Sequence, residues 1–382
     1  MKITVSKSVL SDVVKVLSQA LTRKPAIPIL GDFLCKVEGE HLSITASDGD
    51  ITMQRTIQLD EKAKADGAFC VDAQLLKDSL AGIIEQPVTL DVNETANSFK
   101  LVHQSGETHF PICNQNPNEY PAQQPQPYDQ VIIIDSTKVI EAINRCIWNA
   151  AQDDLRPAMC GICFNIDKGF LDIVASDGCS IVKSSISLQQ ASAKNIKRSF
   201  ILPKKAALIL SKEPKGIDFT IEFNDKEVKI DTGHEIIFSR LVDAKYPKYN
   251  SVFPADHSVS TQIDKLALSN LVRKALPFTL NAGGTAVISL RFDGTNRLDV
   301  VGENSDFFTG CSDYMFVDDY EGNALTIGLD GNRLLAMLKQ VGSVEMLVEM
   351  TDPDRPVIIK PAKPADEDVS VVMLIMPVLT NE

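Results

Sequence analysis

Residues 42–49 read LSITASDG and residues 171–178 read LDIVASDG, 129 positions further on. Twinned acidic turns allow two readings, an active-site pair of carboxylates or the trace of a duplicated domain. The flanks bear on the choice. Around the first copy come KSVLSDVVKVLSQAL, PILGDFLCKVEGEHLSITASDGDITMQRTI and GAFCVDAQLLKDSLAGI. Around the second, in the same order, come STKVIEAINRCIWNAA, PAMCGICFNIDKGFLDIVASDGCSIVKSSI and RSFILPKKAALILSKE. A weaker third copy follows as DKLALSNLVRKALPFT, TAVISLRFDGTNRLDVVGENSDFFTGCSDY and ALTIGLDGNRLLAMLKQV, with LDVVGENS in place of LDIVASDG.

Each copy predicts a helix, a hairpin with a continuing strand, a second helix and a last run of strands. Alternation of apolar and polar residues in FTIEF and VKI supports the strands. The fold class expected is therefore α+β, three repeated domains at 1–128, 129–256 and 257–382. Boundaries fall near PAQQPQPYDQ (121–130) and VFPADHS (252–258), where proline breaks regular structure. The third copy has lost the Asp-Gly pair. The simpler reading of the other two is a turn, with Gly49 and Gly178 supplying the backbone angles and each Asp bonding nearby amides.

Composition narrows the class. The chain has 382 residues, 44% hydrophobic and 23% charged, as expected of a soluble globular protein with sizeable cores. No apolar run approaches the roughly 20 residues that span a membrane. The start, MKITVSKSVL, turns polar too soon for a secretory signal, so a cytoplasmic location is expected. The eight cysteines are scattered rather than paired at disulfide spacing. The one CxxC, Cys160 to Cys163, lies in AMCGICFNI, which reads as a strand, so buried free thiols are expected there. The five histidines show no metal spacing, and neither metal nor cofactor is expected.

The net charge of −13 argues against a polyanion partner only if the charge is spread evenly. It is not. At 100° per residue, the first helix of the first copy sets Val9, Leu10, Val13, Val14, Val16, Leu17 and Ala20 against Lys7, Ser8, Ser11, Lys15 and Ser18. In the second copy Val139, Ile143, Cys146, Ile147 and Ala150 oppose Lys138, Asn144, Arg145 and Asn149. In the third, Leu268, Leu271, Val272 and Ala275 oppose Lys265, Ser269, Arg273 and Lys274. The second helices add Lys77, Lys204, Lys205, Lys212, Arg333 and Lys339, while acids gather in loops and strands. Fields decay over about 8 Å at physiological salt. Three cationic helix faces could thus line one surface that holds a phosphate backbone without reading bases.

The chain resembles the bacterial DNA polymerase sliding clamp family, the beta subunit of the polymerase III holoenzyme. The residues that carry the likeness are MKITVSKSVL, RKPAIPIL (23–30), ASDG (175–178), RLVDAKYPKYNSVFP (240–254) and LIMPV (374–378), in order along the chain. The resemblance implies three clamp domains and a head-to-tail homodimer closed into a ring of six domains, with helices facing a central hole. It implies no catalysis, and duplex DNA bound without sequence specificity. The DNA-facing candidates are Lys7, Lys15, Arg23, Lys24, Lys138, Arg145, Lys204, Lys205, Lys265 and Arg273. Lys24 falls where the family has a DNA-contacting base; the others come from the helix faces. The dimer contact would join Phe110 and Ile112 to Pro277 and Phe278 of the partner chain.

The resemblance also implies a groove for peptides of the replicative polymerase, the clamp loader and other partners. Its residues would be Met159, then Ser176, Gly178, Cys179, Ser180 and Ile181. Pro247, Ser251, Val252 and Pro356 follow, with Leu374, Met376, Pro377 and Val378 near the end. Cys179-Ser180-Ile181 stand where many clamps have His-Arg-Leu, which removes a cation from the groove rim and bears on peptide preference. The competing class is an aspartate-dyad hydrolase, since IDTG at 230–233 matches an aspartic-protease loop. But Asp231 lies in VKIDTGHEIIF, which reads as a hairpin turn. No Walker-type loop is present, so ring opening would need a separate ATP-driven loader.

Overall fold

The computed structural model describes residues 1–59, 62–63, 65–93, 98–111, 116–121, 127–153, 155–279, 284–304 and 307–378. By internal contacts the chain divides into two units, Met1–Thr137 with Lys212–Leu241, and Lys138–Ser211 with Val242–Glu382. Both are built of antiparallel sheet backed by short helices.

In the first unit a four-stranded sheet runs Lys2–Ser6, Pro87–Asn93, Ser98–His103, Gly106–Pro111. An eight-stranded sheet runs Gly67–Asp72, Asp32–Glu38, His41–Ser47, Ile51–Gln58, Glu235–Arg240, Glu227–Asp231, Asp218–Phe223, Gln130–Asp135. Its middle is a seam between the first and second repeats, with Arg55 opposite Glu235. Helices α1 (Lys7–Leu17) and α2 (Ala73–Ala81) pack against each other. α1 buries Leu10, Val13, Val14 and Leu17, the 3-4-7 spacing of an apolar stripe. Val9, assigned above to the apolar side, is 42% exposed and lies off that stripe.

In the second unit a nine-stranded sheet runs Arg198–Pro203, Gly161–Asp167, Phe170–Ser176, Ser180–Ser187, Val369–Ile375, Val357–Pro361, Glu345–Met350, Val259–Asp264, Asp318–Glu321. Here the seam joins the second repeat to the third, with Ile181 opposite Leu374. A four-stranded sheet runs Thr309–Phe316, Arg297–Asn304, Val287–Phe292, Leu325–Asp330. The remaining helices are α3 (Ser136–Cys146), α4 (Lys204–Leu210), α5 (Lys265–Ala275) and α6 (Gly331–Leu338).

The order strand, helix, three strands, strand, helix, three strands recurs three times, with the strand Asp318–Glu321 added in the third. The two contact units cut through the second repeat, because one of its sheets continues the first repeat and the other continues the third. Three helix starts share one device. Asp72, Asp264 and Asp330 end a strand and accept amide hydrogens from the first turn of α2, α5 and α6. Among the described residues, no helix is long and apolar enough to cross a membrane.

Candidate peptide groove and basic helix faces

Both ASDG stretches are turns of one design. Asp177 Oδ1 accepts from the amides of Cys179 (2.9 Å) and Ser180 (2.8 Å), and Ser176 Oγ accepts from Gly178 N (3.1 Å). Asp48 Oδ1 accepts from Asp50 N (3.0 Å) and Ile51 N (2.7 Å), and Ser47 Oγ from Gly49 N (3.1 Å). Gly49 and Gly178 sit at φ 97° and 93°, where an L side chain is strained. The duplicated acid therefore belongs to a duplicated turn. Asp231 plays a like part, with Oδ1 accepting from Gly233 N (2.9 Å).

The second turn is held from within by Asn149, which is 2% exposed. Its Nδ2 donates to the carbonyls of Ala175 (3.0 Å) and Ser180 (3.2 Å), and its Oδ1 accepts from Ser180 Oγ (2.6 Å). Beside the turn, Ile181 and Leu374 join one apolar cluster with Ile358, Ile201, Tyr246 and Tyr249. The chain then leaves the sheet along the turn: Met376 N donates to Cys179 O (2.8 Å) and Val378 N to Gly328 O (2.8 Å).

The structure brings Met159, Ser176, Gly178, Cys179, Ser180, Ile181, Leu374 and Met376 together. Met159, Ser176, Ser180, Ile181, Pro356 and Leu374 are buried. Gly178, Cys179, Pro247, Ser251, Val252 and Met376 are exposed, and Pro377 and Val378 half-buried. Met159 lies close to Gly178: a Cβ built on Gly178 would stand 3.8 Å from Met159 Cε.

Sequence reasoning missed four neighbours. Tyr246 lies in the apolar cluster. Tyr249 donates from its hydroxyl to Asp172 Oδ2 (2.9 Å), and Lys183 stands 5.7 Å from its ring centre. Burial lifts both phenols above their usual range, and for Tyr249 the Asp172 carboxylate adds to the effect. Arg156 NH1 donates to Asp177 O (3.3 Å), so a cation does stand at this rim despite the Cys179-Ser180-Ile181 departure. Arg333, assigned above to a basic helix face, contacts Asp177 through Nε (3.0 Å) and NH2 (2.9 Å) instead. Burial alone would raise the Asp177 carboxyl, but the Cys179 amide and the Arg333 guanidinium outweigh it and hold it low. Tyr246 and Tyr249 lie in the 240–254 segment that carried the family likeness, and Arg156 stands three residues before the groove candidate Met159; Arg333 had no such signal.

The basic candidates are unequal. Lys15, Arg23, Lys24 and Arg273 are exposed. Lys7, Lys204, Lys205 and Lys265 are half-buried, and Lys265 Nζ donates to Val341 O (2.7 Å). Lys138 is held by Asp368 (2.7 Å) and Asp366 (3.2 Å), which raise its pKa against the opposing effect of burial. Arg145 pairs with Glu141 one turn back (3.0 Å). The last two are therefore partly neutralised at their own positions.

Of the expected dimer residues, Phe110 is buried against its own unit, its ring 5.0 Å from that of Phe99. Pro277 is exposed and Phe278 half-buried, and Ile112 lies outside the described residues. Gly106–Pro111 and Thr309–Phe316 each end a four-stranded sheet. Beside the second edge Phe307 and Phe308 are 66% and 97% exposed. The CxxC is not all strand: Cys160 ends the 3-10 turn Pro157–Cys160, and Cys163 is buried on the strand that follows. Cys35, Cys70, Cys146, Cys160, Cys163, Cys179 and Cys311 are free thiols; Cys113 lies outside the described residues. Burial pushes the Cys163 thiol up to about 11, away from redox chemistry. Among the described residues, no three His, Cys, Asp or Glu side chains cluster in a way that could hold a metal ion.

The comparisons with known proteins agree with one another. Residues 1–124 match the family model for the DNA polymerase III beta subunit, N-terminal domain, and residues 133–248 match that for its central domain. A beta sliding clamp of Pseudomonas aeruginosa is 25% identical over 378 residues, covering 98% of this chain and 99% of that one. One from Halalkalibacterium halodurans is 23% identical over 364 residues, 93% of each. The fold matches a crystal structure of the DNA polymerase III subunit beta from Pseudomonas aeruginosa at TM-score 0.91, with 21% identity over the whole of both chains. It matches a sliding clamp structure from Bacillus subtilis at TM-score 0.90, with 21% identity over 100% of this chain and 99% of that one.

Proposed function

The chain belongs to the DNA polymerase III beta subunit, or beta sliding clamp, family, and from that premise we propose how it acts. It is a non-catalytic processivity factor, the sliding clamp of DNA polymerase III. Two chains join head to tail into a closed ring of six domains, each chain contributing 1–128, 129–256 and 257–382. The ring encircles duplex DNA in the cytoplasm. Because a closed ring cannot leave sideways, its hold needs no tight contact, and weak, salt-sensitive phosphate contacts leave it free to slide. Lys15, Arg23, Lys24 and Arg273 carry most of that contact. The half-buried Lys7, Lys204, Lys205 and Lys265 contribute less, and the paired Lys138 and Arg145 least.

The groove beside the 176–181 turn takes peptides of the replicative polymerase, the clamp loader and other replication and repair proteins. Tethering then raises the polymerase's effective concentration at the primer end. Val252 and Met376 offer exposed apolar surface while Ile181 and Leu374 are buried, and methionine adapts to different peptides.

One observation carries the ring: the two sheet edges, Gly106–Pro111 and Thr309–Phe316, that each close a four-stranded sheet. An edge with exposed aromatic side chains, as the second has in Phe307, Phe308, Tyr314 and Phe316, is an aggregation hazard unless another chain covers it. Phe110 contributes from beneath its edge, by supporting the strand, and Pro277 and Phe278 lie at the opposite contact with Ile112 of the partner chain. The test is retention. Loaded by its own clamp loader, the protein should stay on nicked circular DNA through gel filtration and leave once the DNA is linearised. Equal loss from both forms would contradict the ring.

A further inference from the structure

The turn and the helix start do not account for the ion pair between Asp177 and Arg333. Asp177 serves its turn through Oδ1, which accepts the amides of Cys179 and Ser180. Its Oδ2 is the oxygen that meets Arg333. Asp330 divides its carboxylate in the same way. Oδ1 caps α6 by accepting from Asn332 N (2.9 Å) and Arg333 N (3.1 Å), while Oδ2 accepts from Arg333 NH1 (3.0 Å). One guanidinium is thus fixed by two carboxylates, each of which already satisfies its own backbone with the other oxygen. Such a planar, multidentate bond sets orientation as well as distance.

Its place gives it a consequence. Met376 N binds Cys179 O and Val378 N binds Gly328 O, so the 376–378 segment runs from the turn to the strand that leads into α6. The Asp177–Arg333 bond ties the same turn to α6, the helix that this strand enters. Cys179 and Met376, which are exposed there, therefore sit between fixed points.

We propose that Arg333 is a positioning residue of the peptide groove: through Asp177 it holds the Gly178–Cys179 wall at the spacing from the 376–378 segment that a bound peptide needs. This rests on the reading of the groove given above. It also sets Arg333 apart from the DNA-facing bases.

The test measures anisotropy of a fluorescein-labelled peptide carrying the clamp-binding segment of the organism's own replicative polymerase, with full-length protein. Arg333→Met should weaken binding about five- to tenfold, the loss of one partly exposed charge-assisted bond. Arg333→Lys should recover part of that. Asp177→Asn keeps an oxygen for the turn and should weaken binding to a similar degree. The double variant should be no worse than either single one, because both break the same bond. Wild-type affinity in Arg333→Met, or losses that add in the double variant, would overturn the assignment. So would an Arg333→Met protein that binds peptide normally but is retained less well on DNA. If the wild-type chain fails to bind and Ile181→Asp changes nothing, the groove reading itself falls, and the assignment with it.

Discussion

Asp48 and Asp177 stand in the same four letters and make the same turn, yet their surroundings give them different duties. A glycine substitution separates the two. A Cβ at Gly49 would meet only Leu30 Cδ1 at 3.8 Å, so Gly49→Ala should cost about 1 kcal/mol of stability, from backbone strain alone. At Gly178 the Cβ would come within 2.5 Å of Arg156 NH1, the mobile end of a long side chain. Gly178→Ala should show a similar loss of stability and also weaken peptide binding, as Arg156 is displaced from Asp177 O. Denaturation midpoints and peptide titrations on the two variants check this; equal peptide affinities would contradict it. The turn itself was legible from the sequence, because Asp-Gly after a strand has a local physical meaning. The Asp177–Arg333 bond was not, since its partners lie 156 positions apart.

At the scale of elements, α1 follows its apolar stripe except at Val9, whereas Asn149 and Ser269, placed on polar faces by spacing, are 2% and 7% exposed. Two things were hidden. The strand-ending Asp that caps α2, α5 and α6 is visible in FCVDAQ, QIDKLA and IGLDGN once its role is known, but periodicity does not reveal it. The pairing of strands between repeats has no local signature at all. Ile51–Gln58 bonds to Glu235–Arg240 only because long-range packing selects it. That seam holds a buried acid pair that sequence reasoning also missed. Glu213 and Glu235 are 7% and 3% exposed, and Glu235 accepts from Arg55 NH1 at 2.7 Å. Burial, then the bond to Glu235 and its charge, push the Glu213 carboxyl up to about 8. A carboxyl raised on folding stabilises the protein below its unfolded value near 4.5, and that stability is lost as pH rises toward about 8. Glu213→Gln, which keeps the hydrogen bond without the titration, should flatten this decline. The gap between the two proteins should change by roughly 2–4 kcal/mol from pH 5 to pH 8.5. Urea denaturation across that range checks it, and parallel pH profiles would contradict it.

For the whole molecule, a net charge of −13 coexists with a proposed grip on DNA because the grip needs only local positive charge. Replacing the exposed Lys15, Arg23, Lys24 and Arg273 by Ala should weaken direct DNA binding at low salt and reduce the slope of log K against log salt by roughly 3 to 4. The same change at Lys138 and Arg145, already paired with acids, should alter that slope far less; electrophoretic titrations at several salt concentrations distinguish the two sets. The threefold repeat was legible, since three copies in one order survive even where the Asp-Gly is lost. The closure of two chains into a ring is what the rest of the mechanism depends on. The most direct test is sedimentation equilibrium of the purified chain, alone and with the labelled polymerase peptide. The account predicts a mass of twice 41.8 kDa that carries the peptide, and loss of the peptide when the chain is cut back to Ile375. A stable monomer at micromolar concentration would contradict it.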